Sequence, residues 1–205
     1  MKDAECKKIM SEREDAKAKR RHLIISAAIE CFINNGIHQT GIRDIAELAG
    51  VSLGNLYNHF AGKDELIAEI AVLEGKELDQ FAKMLDVNKD ALMAIREFVD
   101  GYLDYASKAE NAVLTIDIIA EALRKPAIAE QFESNRLALV VALSGTIARG
   151  VSEGVMREKI NTDETVRLLL DAIEGLGLRC GLNQIEPSKT ARKTLQEFIF
   201  RMLSP

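Results

Sequence analysis

Apolar residues recur every three to four positions along almost the whole chain, the spacing of an amphipathic helix. From Lys17 to Asn34 the pattern gathers Leu23, Ile24, Ala27, Ala28, Cys31 and Phe32 on one side. Asn34-Asn35-Gly36 then reads as a stop, because Asn and Gly tolerate the left-handed conformation at a helix end. Two short patterns follow, about 42–49 and 53–60, separated by Gly50-Val51-Ser52. A longer one starts near Lys63 and runs towards Leu85; others cover about 89–108, 111–124, 127–153, 162–183 and 188–203. Pro126 suits a first helical turn. Asn161-Thr162-Asp163-Glu164 and Pro187-Ser188 supply N-caps and first-turn residues for the last two helices. No alternating strand pattern, repeat or low-complexity tract interrupts this. The expected fold is all-α with about nine helices.

Composition narrows the class. The chain has 205 residues, 47% hydrophobic and 29% charged, which provides a sizeable core for one large or two small domains. No run reaches the roughly 20 apolar residues of a membrane span. The first residues are charged throughout and lack the apolar core of a signal peptide. Cys6, Cys31 and Cys180 are widely spaced, with no CxxC or Cys/His cluster, so neither a disulfide framework nor a structural metal site is expected. These features predict a cytoplasmic protein without membrane partners. The net charge of −5 is unevenly spread: residues 17–63 carry +3 and all three histidines (His22, His38, His59), whereas 64–205 carry −7. Such asymmetry is compatible with a nucleic-acid-facing segment or simply with a solvated face.

Residues 42–60, IRDIAELAGVSLGNLYNHF, give the sharpest signal. Two helices that cross closely need a small side chain at the contact, supplied by Ala46. The turn between them needs a residue free to take positive φ, supplied by Gly50. Ile45, Val51 and Leu56 are expected to bury and fix the crossing angle, and Ser52 to cap the second helix. An ordinary helical hairpin would share some of these features.

The wider run decides between them. Gly36, Thr40, Ile45-Ala46, Ala49-Gly50-Val51-Ser52, Gly54, Leu56-Tyr57, His59-Phe60, Lys63 and Leu66 stand at fixed spacing, and together they resemble the DNA-binding signature of TetR/AcrR-family transcriptional regulators. The resemblance implies a helix-turn-helix domain at 19–64 and a ligand-binding and dimerisation domain at 65–205, with residues 1–18 as a mobile arm. It further implies that the second short helix enters the major groove of a palindromic operator. Thr40, Ser52, Tyr57, His59 and Lys63 become phosphate-side candidates, and Arg43, Leu53, Gly54, Asn55 and Asn58 base-side candidates. Two positions depart from the usual pattern: Gly41 follows Thr40 where a second Thr is common, and Leu53 replaces a polar residue. The basic stretch Lys17–Arg21 is a candidate N-terminal arm to a phosphate or the minor groove; Tyr57 packing on the first helix, His59 as a capping or core residue, and Lys17–Arg21 as a solvated helix start are the plainer alternatives.

Beyond His59 the chain has no glycine-rich phosphate loop, HExxH or GxSxG, and no further histidine, so an enzyme using a histidine base there is excluded. No cofactor motif appears. The resemblance implies a small-molecule effector, and an apolar one suits a lining of Phe81, Phe98, Tyr102, Tyr105 and Phe132, with Met84 and Leu85 nearby; the alternative is plain core. Asp117 and Glu121, one turn apart, are candidate polar handles, or members of ion pairs with Arg124 or Arg136. The resemblance also implies a homodimer through the last two helices. Its candidate stripes are Leu169, Leu170, Ile173, Leu176 and Cys180, then Leu195, Phe198, Ile199 and Met202. Gly175, Gly177 and Gly181 would permit close approach of a neighbouring backbone. A helical enzyme or carrier with a structural helix-turn-helix, and an activator or nucleoid-type DNA binder, are the competing functions.

Overall fold

In the computed structural model, which describes residues 2–85 and 90–205 (side chains from residue 13 onward), the helical periodicity becomes nine helices and no strand among the described residues. They are α1 (Lys2–Asn35), α2 (Ile42–Leu48), α3 (Leu53–Tyr57), α4 (Lys63–Met84), α5 (Ala91–Ala106), α6 (Ala109–Ala122), α7 (Pro126–Ser152), α8 (Thr162–Leu182) and α9 (Lys189–Leu203). The helix α1 begins at Lys2, well before the periodic segment. Residues 2–16 lack an apolar stripe but are rich in Ala, Glu, Lys and Arg, whose intrinsic propensity favours helix without packing. The arm expected at 1–18 therefore continues α1 from Lys2 onward, and Cys6 falls among the side chains outside the described residues. Contacts divide the chain into two units between Ile70 and Ala71, inside α4, rather than after residue 64.

The first unit packs Ile24, Ala28 and Phe32 of α1 against Ile37, Ile45, Ala46, Leu56, Phe60, Leu66 and Ile67, all essentially inaccessible. Leu23, expected on that face, is 52% exposed. Its neighbour Ile24 takes the inward position. Gly36 ends α1 at φ 80°, with its N–H donating to the Phe32 carbonyl at 2.8 Å. The Asp44 carboxylate accepts the Gly41 N–H at 2.8 Å, and Ser52 Oγ accepts the Asn55 N–H at 3.1 Å, capping α2 and α3. Between them Gly50 sits at φ 64°, while the Val51 N–H returns to the Ala46 carbonyl at 3.0 Å. The turn thus closes on the small residue that lets the two helices approach.

The second unit centres on α8, which packs against α5, α6 and α7. Its core takes Ile95, Phe98, Val99 and Leu103 from α5, Leu139, Leu143 and Ile147 from α7, Val166, Leu169, Leu170 and Ile173 from α8, and Leu195, Ile199 and Leu203 from α9. Asp90, Asn161 and Ser188 cap α5, α8 and α9 by accepting N–H bonds from Met93, Glu164 and Ala191. Two α8 glycines serve packing within the protomer. A Cβ on Gly177 would stand 2.6 Å from the Ala106 Cβ, and one on Gly181 2.4 Å from the Ala112 Cβ. Gly175, in contrast, faces open space. Gly181→Ala is therefore expected to lower stability by about 1–3 kcal/mol through overpacking, despite the better helix propensity of alanine. The urea midpoint reads this directly; an unchanged or higher midpoint would refute it.

Candidate functional site

The chemistry-bearing residues gather in two places, one in each unit. In the first, α2, the Gly50 turn and α3 present an outward surface. Arg43, Ser52, Gly54, Tyr57 and Asn58 are exposed, Tyr57 by 52%; Leu53 and Asn55 are half-buried. Tyr57 therefore does not pack away against α1. The helix α3 ends at Tyr57, so Asn58 and His59 lie in the turn that follows rather than in the helix. Asn55 turns its Oδ1 inward, where it has no hydrogen-bond partner. His59 is half-buried with Nδ1 likewise inward and unpartnered. Burial, then the nearby Lys17, Arg21 and Arg20 charges, hold its imidazole below the ordinary 6.5, so at neutral pH it is uncharged.

Two expected phosphate contacts have internal employment. Thr40 is buried, and its hydroxyl lies 2.7 Å from the Gly36 carbonyl and 3.1 Å from that of Cys31, so it fixes the end of α1 instead of facing outward. Lys63 Nζ donates to the Ile37 carbonyl at 2.6 Å and the His38 carbonyl at 3.3 Å. That uses two of an ammonium's three donors and leaves one. Arg21, grouped by sequence with a solvated basic stretch, proves structural. Its guanidinium lies 4.2 Å from the Phe60 ring centroid, donates 3.0 Å to the His59 carbonyl, and pairs with Glu69 at 2.5 Å. It ties α1 and α4 to the turn that follows α3.

In the second unit a cavity of about 460 Å³ is lined by Glu74 and Leu78 of α4, Tyr102 and Tyr105 of α5, residues of α6, Phe132, Glu133 and Arg136 of α7, and Asp171, Glu174 and Gly175 of α8. Tyr102, Tyr105 and Phe132 are thus where a lining was expected. Phe98 is not: it is fully buried in the core, its ring centroid 5.4 Å from that of Tyr102. Phe81 stands outside the lining as well, 5.4 Å from the Tyr102 ring and 5.3 Å from that of Tyr105. Asp117 and Glu121 are also absent from it; Glu121 is buried and pairs with Lys125 at 3.1 Å, a helix-surface bridge one turn on. Arg136 meets neither of them. It pairs with Asp171 and, at 3.3 Å, with Glu174.

The carboxylates of this cavity were not singled out in sequence, although Glu74 shares a helix face with buried Ala71 and Leu78, which is a readable signal. Its carboxylate accepts from Asn135 Nδ2 at 2.8 Å. Burial, opposed by that hydrogen bond and reinforced by the Glu174 and Glu77 charges, pushes its pKa up from 4.5 to about 7. Glu174 is raised by burial too, against the pull of Arg136 and the Tyr102 hydroxyl, which donates to it at 3.0 Å. The Tyr105 hydroxyl donates to Glu77 at 3.0 Å.

The stripes expected at a dimer interface need correction. Leu169, Leu170, Ile173 and Ile199 are inaccessible, and Cys180 and Leu195 nearly so, because they face the protomer's own core; Leu176 and Met202 are half-buried against it. Phe198 alone of the set is prominent, 51% exposed, and α8 adds Leu168 and Leu182, each 55% exposed. No helix among the described residues is long and apolar enough to cross a membrane, and no group of metal-ligating side chains occurs among them.

The first unit is thus a capped helix-turn-helix with an exposed second helix, and the second is all-helical and holds a polar-rimmed cavity. Residues 24–70 match the family model for bacterial regulatory proteins of the tetR family, and residues 92–204 that for the BetI-type transcriptional repressor C-terminal region. The chain belongs to the TetR family and is a DNA-binding transcriptional repressor. Among its relatives, the HTH-type transcriptional regulator UidR of Escherichia coli K12 is 28% identical over 184 residues, 84% of this chain and 85% of that protein. The repressor KstR2 of Rhodococcus jostii is 29% identical over 169 residues, 76% of each. Among solved structures, Salmonella enterica GusR superposes with a TM-score of 0.77 at 22% identity, covering 90% of this chain and 95% of that one. Bacillus subtilis FadR, in complex with stearoyl-CoA, gives 0.75 at 16% identity, covering 89% and 98%.

Proposed function

We propose that the first unit reads a palindromic operator through Arg43, Leu53, Gly54, Asn55 and Asn58, with Ser52, Tyr57, His59 and the remaining donor of Lys63 on the phosphates, and that a ligand in the second unit's cavity releases it. The observation that carries this reading is the exposed set Arg43, Ser52, Gly54, Tyr57 and Asn58 on one rigidly capped helix-turn-helix. Helix α4 starts at Lys63 and also contributes Glu74 and Leu78 to the cavity, so one element belongs to both steps. The ligand acts through its different affinity for the DNA-competent and released states. The setting is the cytoplasm, where an operator is accessible.

Selection of a random DNA library with the full chain tests this. A recovered palindrome supports it; no enrichment, even after unfolding, washing and refolding to strip bound ligand, overturns it. On the recovered operator, Tyr57→Phe is expected to weaken binding similarly across sequence variants, since a phosphate carries no sequence information. Asn55→Ala is expected to relax preference at particular base pairs, by about 1–3 kcal/mol each. Equal losses across all sequences for Asn55→Ala would remove it from base reading.

The dimer face is assigned to the exposed sides of α8 and α9, around Leu168, Leu182 and Phe198. Apolar side chains this exposed are natural anchors for a self-complementary twofold contact. Phe198→Glu is expected to shift the protein from dimer to monomer in sedimentation equilibrium and to abolish tight operator binding; an unchanged mass would place the interface elsewhere.

A further inference from the structure

We propose that two copies of the chain pack α8 against α8, antiparallel and centred on Gly175, so that the partner's Arg179 closes on Asp171 at the rim of the second unit's cavity. This rests on the assignment of the dimer face to α8 and α9; it fixes the register of that face and makes the cavity a site that a second copy completes. Gly175 has no reason inside the protomer to be glycine. Gly177 and Gly181 are held to glycine by Ala106 and Ala112, but a Cβ on Gly175 would meet nothing within 4 Å. Glycine in the body of a helix costs stability relative to alanine. Within one protomer nothing offsets that cost, whereas a second backbone approaching from outside would.

A twofold axis can be located along a single helix. Where two copies cross antiparallel, the residue on the axis meets itself, and residues equally far before and after it meet each other. Glycine on the axis lets the helices approach to about 8 Å, the short end of the range for packed helices. Four positions out, Asp171 faces the partner's Arg179; seven out, Leu168 faces the partner's Leu182. Each pair forms twice across the axis. Leu168, Asp171, Gly175, Arg179 and Leu182 are all exposed, on the side of α8 turned away from buried Val166, Leu169, Leu170 and Ile173. The face is therefore complementary to itself, charge to opposite charge and apolar to apolar about the smallest residue. Both charges are available. The Arg179 guanidinium makes no hydrogen bond or ion pair among the described residues, and Asp171 accepts from Arg136 through Oδ1, leaving Oδ2. Gly145 of α7 is as open as Gly175, yet four positions either side of it stand Val141 and Arg149, which are not complementary.

Asp171, Gly175 and Leu178 also line the cavity. The same crossing therefore lays the second copy's α8 along the α8 side of that cavity. There the partner's Arg179 shares Asp171 with Arg136, beside the further carboxylates of Glu133 and Glu174. Neither protomer holds the whole rim alone.

Sedimentation equilibrium of the full chain measures the dimer affinity. Arg179→Glu, a change at an exposed side chain, is expected to weaken it at least tenfold, because two attractive pairs become two repulsive ones. Asp171→Arg/Arg179→Glu should recover most of that loss, since both pairs return with their ends exchanged. The exchange also sets an arginine beside Arg136, so cross-linking decides if this double variant does not fold. In a Cys6→Ser background, where Cys31 and Cys180 are buried, Gly175→Cys puts a thiol on the axis, and mild oxidation is expected to give a covalent dimer. Leu168→Cys in the same background should give none, because its mate across the axis is Leu182. Full dimer affinity in Arg179→Glu, or cross-linking through Leu168→Cys in place of Gly175→Cys, would overturn this register; if Phe198→Glu still yielded monomers, the α8–α9 dimer would stand without it. A parent protein that sediments as a monomer would remove the dimer face and the register together.

Discussion

Arg21→Ala is expected to weaken operator binding at least tenfold while leaving its salt dependence as it was. The side chain joins three parts of the first unit: its own helix α1, the His59 carbonyl and Phe60 ring after the recognition helix, and Glu69 on α4. Truncation leaves a carboxylate without its partner and a carbonyl without its donor, and removes a cation from the aromatic face. A hydrogen bond to a charged group contributes about 1.5–3 kcal/mol and an exposed cation–π contact about 0.5–1. A loss of about 2–3 kcal/mol in the anchoring of the turn after α3 follows. Lysine should rescue only part of it, since an ammonium cannot hold the carbonyl, the carboxylate and the ring together as the planar fork does. Anisotropy titrations of the operator at several salt concentrations separate positioning from phosphate contact. A guanidinium on DNA would, when removed, flatten the slope of log affinity against log salt by about one. Unchanged affinity, or that flattening, would each reject the positioning role.

The helix-turn-helix was legible because its requirements are local and steric. A turn at φ 64° asks for Gly50, a close crossing for Ala46 and a short cap for Ser52, and each request falls within a few residues of sequence. Arg21 was not, because its partners lie 38 and 48 residues away and no local pattern distinguishes it from Lys19 or Arg20. The cavity was half legible for a related reason. Helical spacing finds apolar residues that face inward, yet Phe98 in solid core and Tyr102 beside a cavity share one stripe of α5. The same limit explains the dimer stripes. Periodicity on α8 and α9 reports what the protomer buries first, so Leu169, Ile173 and Ile199 went to its own core. Phe198 belongs to the same stripe as Ile199 yet stays exposed, and on α8 the exposed apolar residue is Leu168, one position out of phase with the stripe.

Glu74 should make stability depend on pH between 4.5 and about 7, and Glu74→Gln should remove that dependence. The carboxyl lies on α4 beside Asn135 of α7 and in the fields of Glu174 of α8 and Glu77 on its own helix; the Tyr102 and Tyr105 phenols of α5 feel its charge in turn. Its folded pKa of about 7 exceeds the ordinary 4.5, so the folded protein holds this proton more tightly than the unfolded chain. Below 4.5 both states are protonated and Glu74 imposes no cost. As pH rises towards 7 only the unfolded chain releases the proton, and stability falls; above 7 the full cost of a buried charge is present. A shift of this size corresponds to about 3 kcal/mol. Glutamine keeps an oxygen for Asn135 without the charge, so urea unfolding should find Glu74→Gln more stable than the parent by up to about 3 kcal/mol at pH 8 and nearly equal at pH 4.5. Equal stabilities at pH 8 would mean that the carboxylate is well solvated.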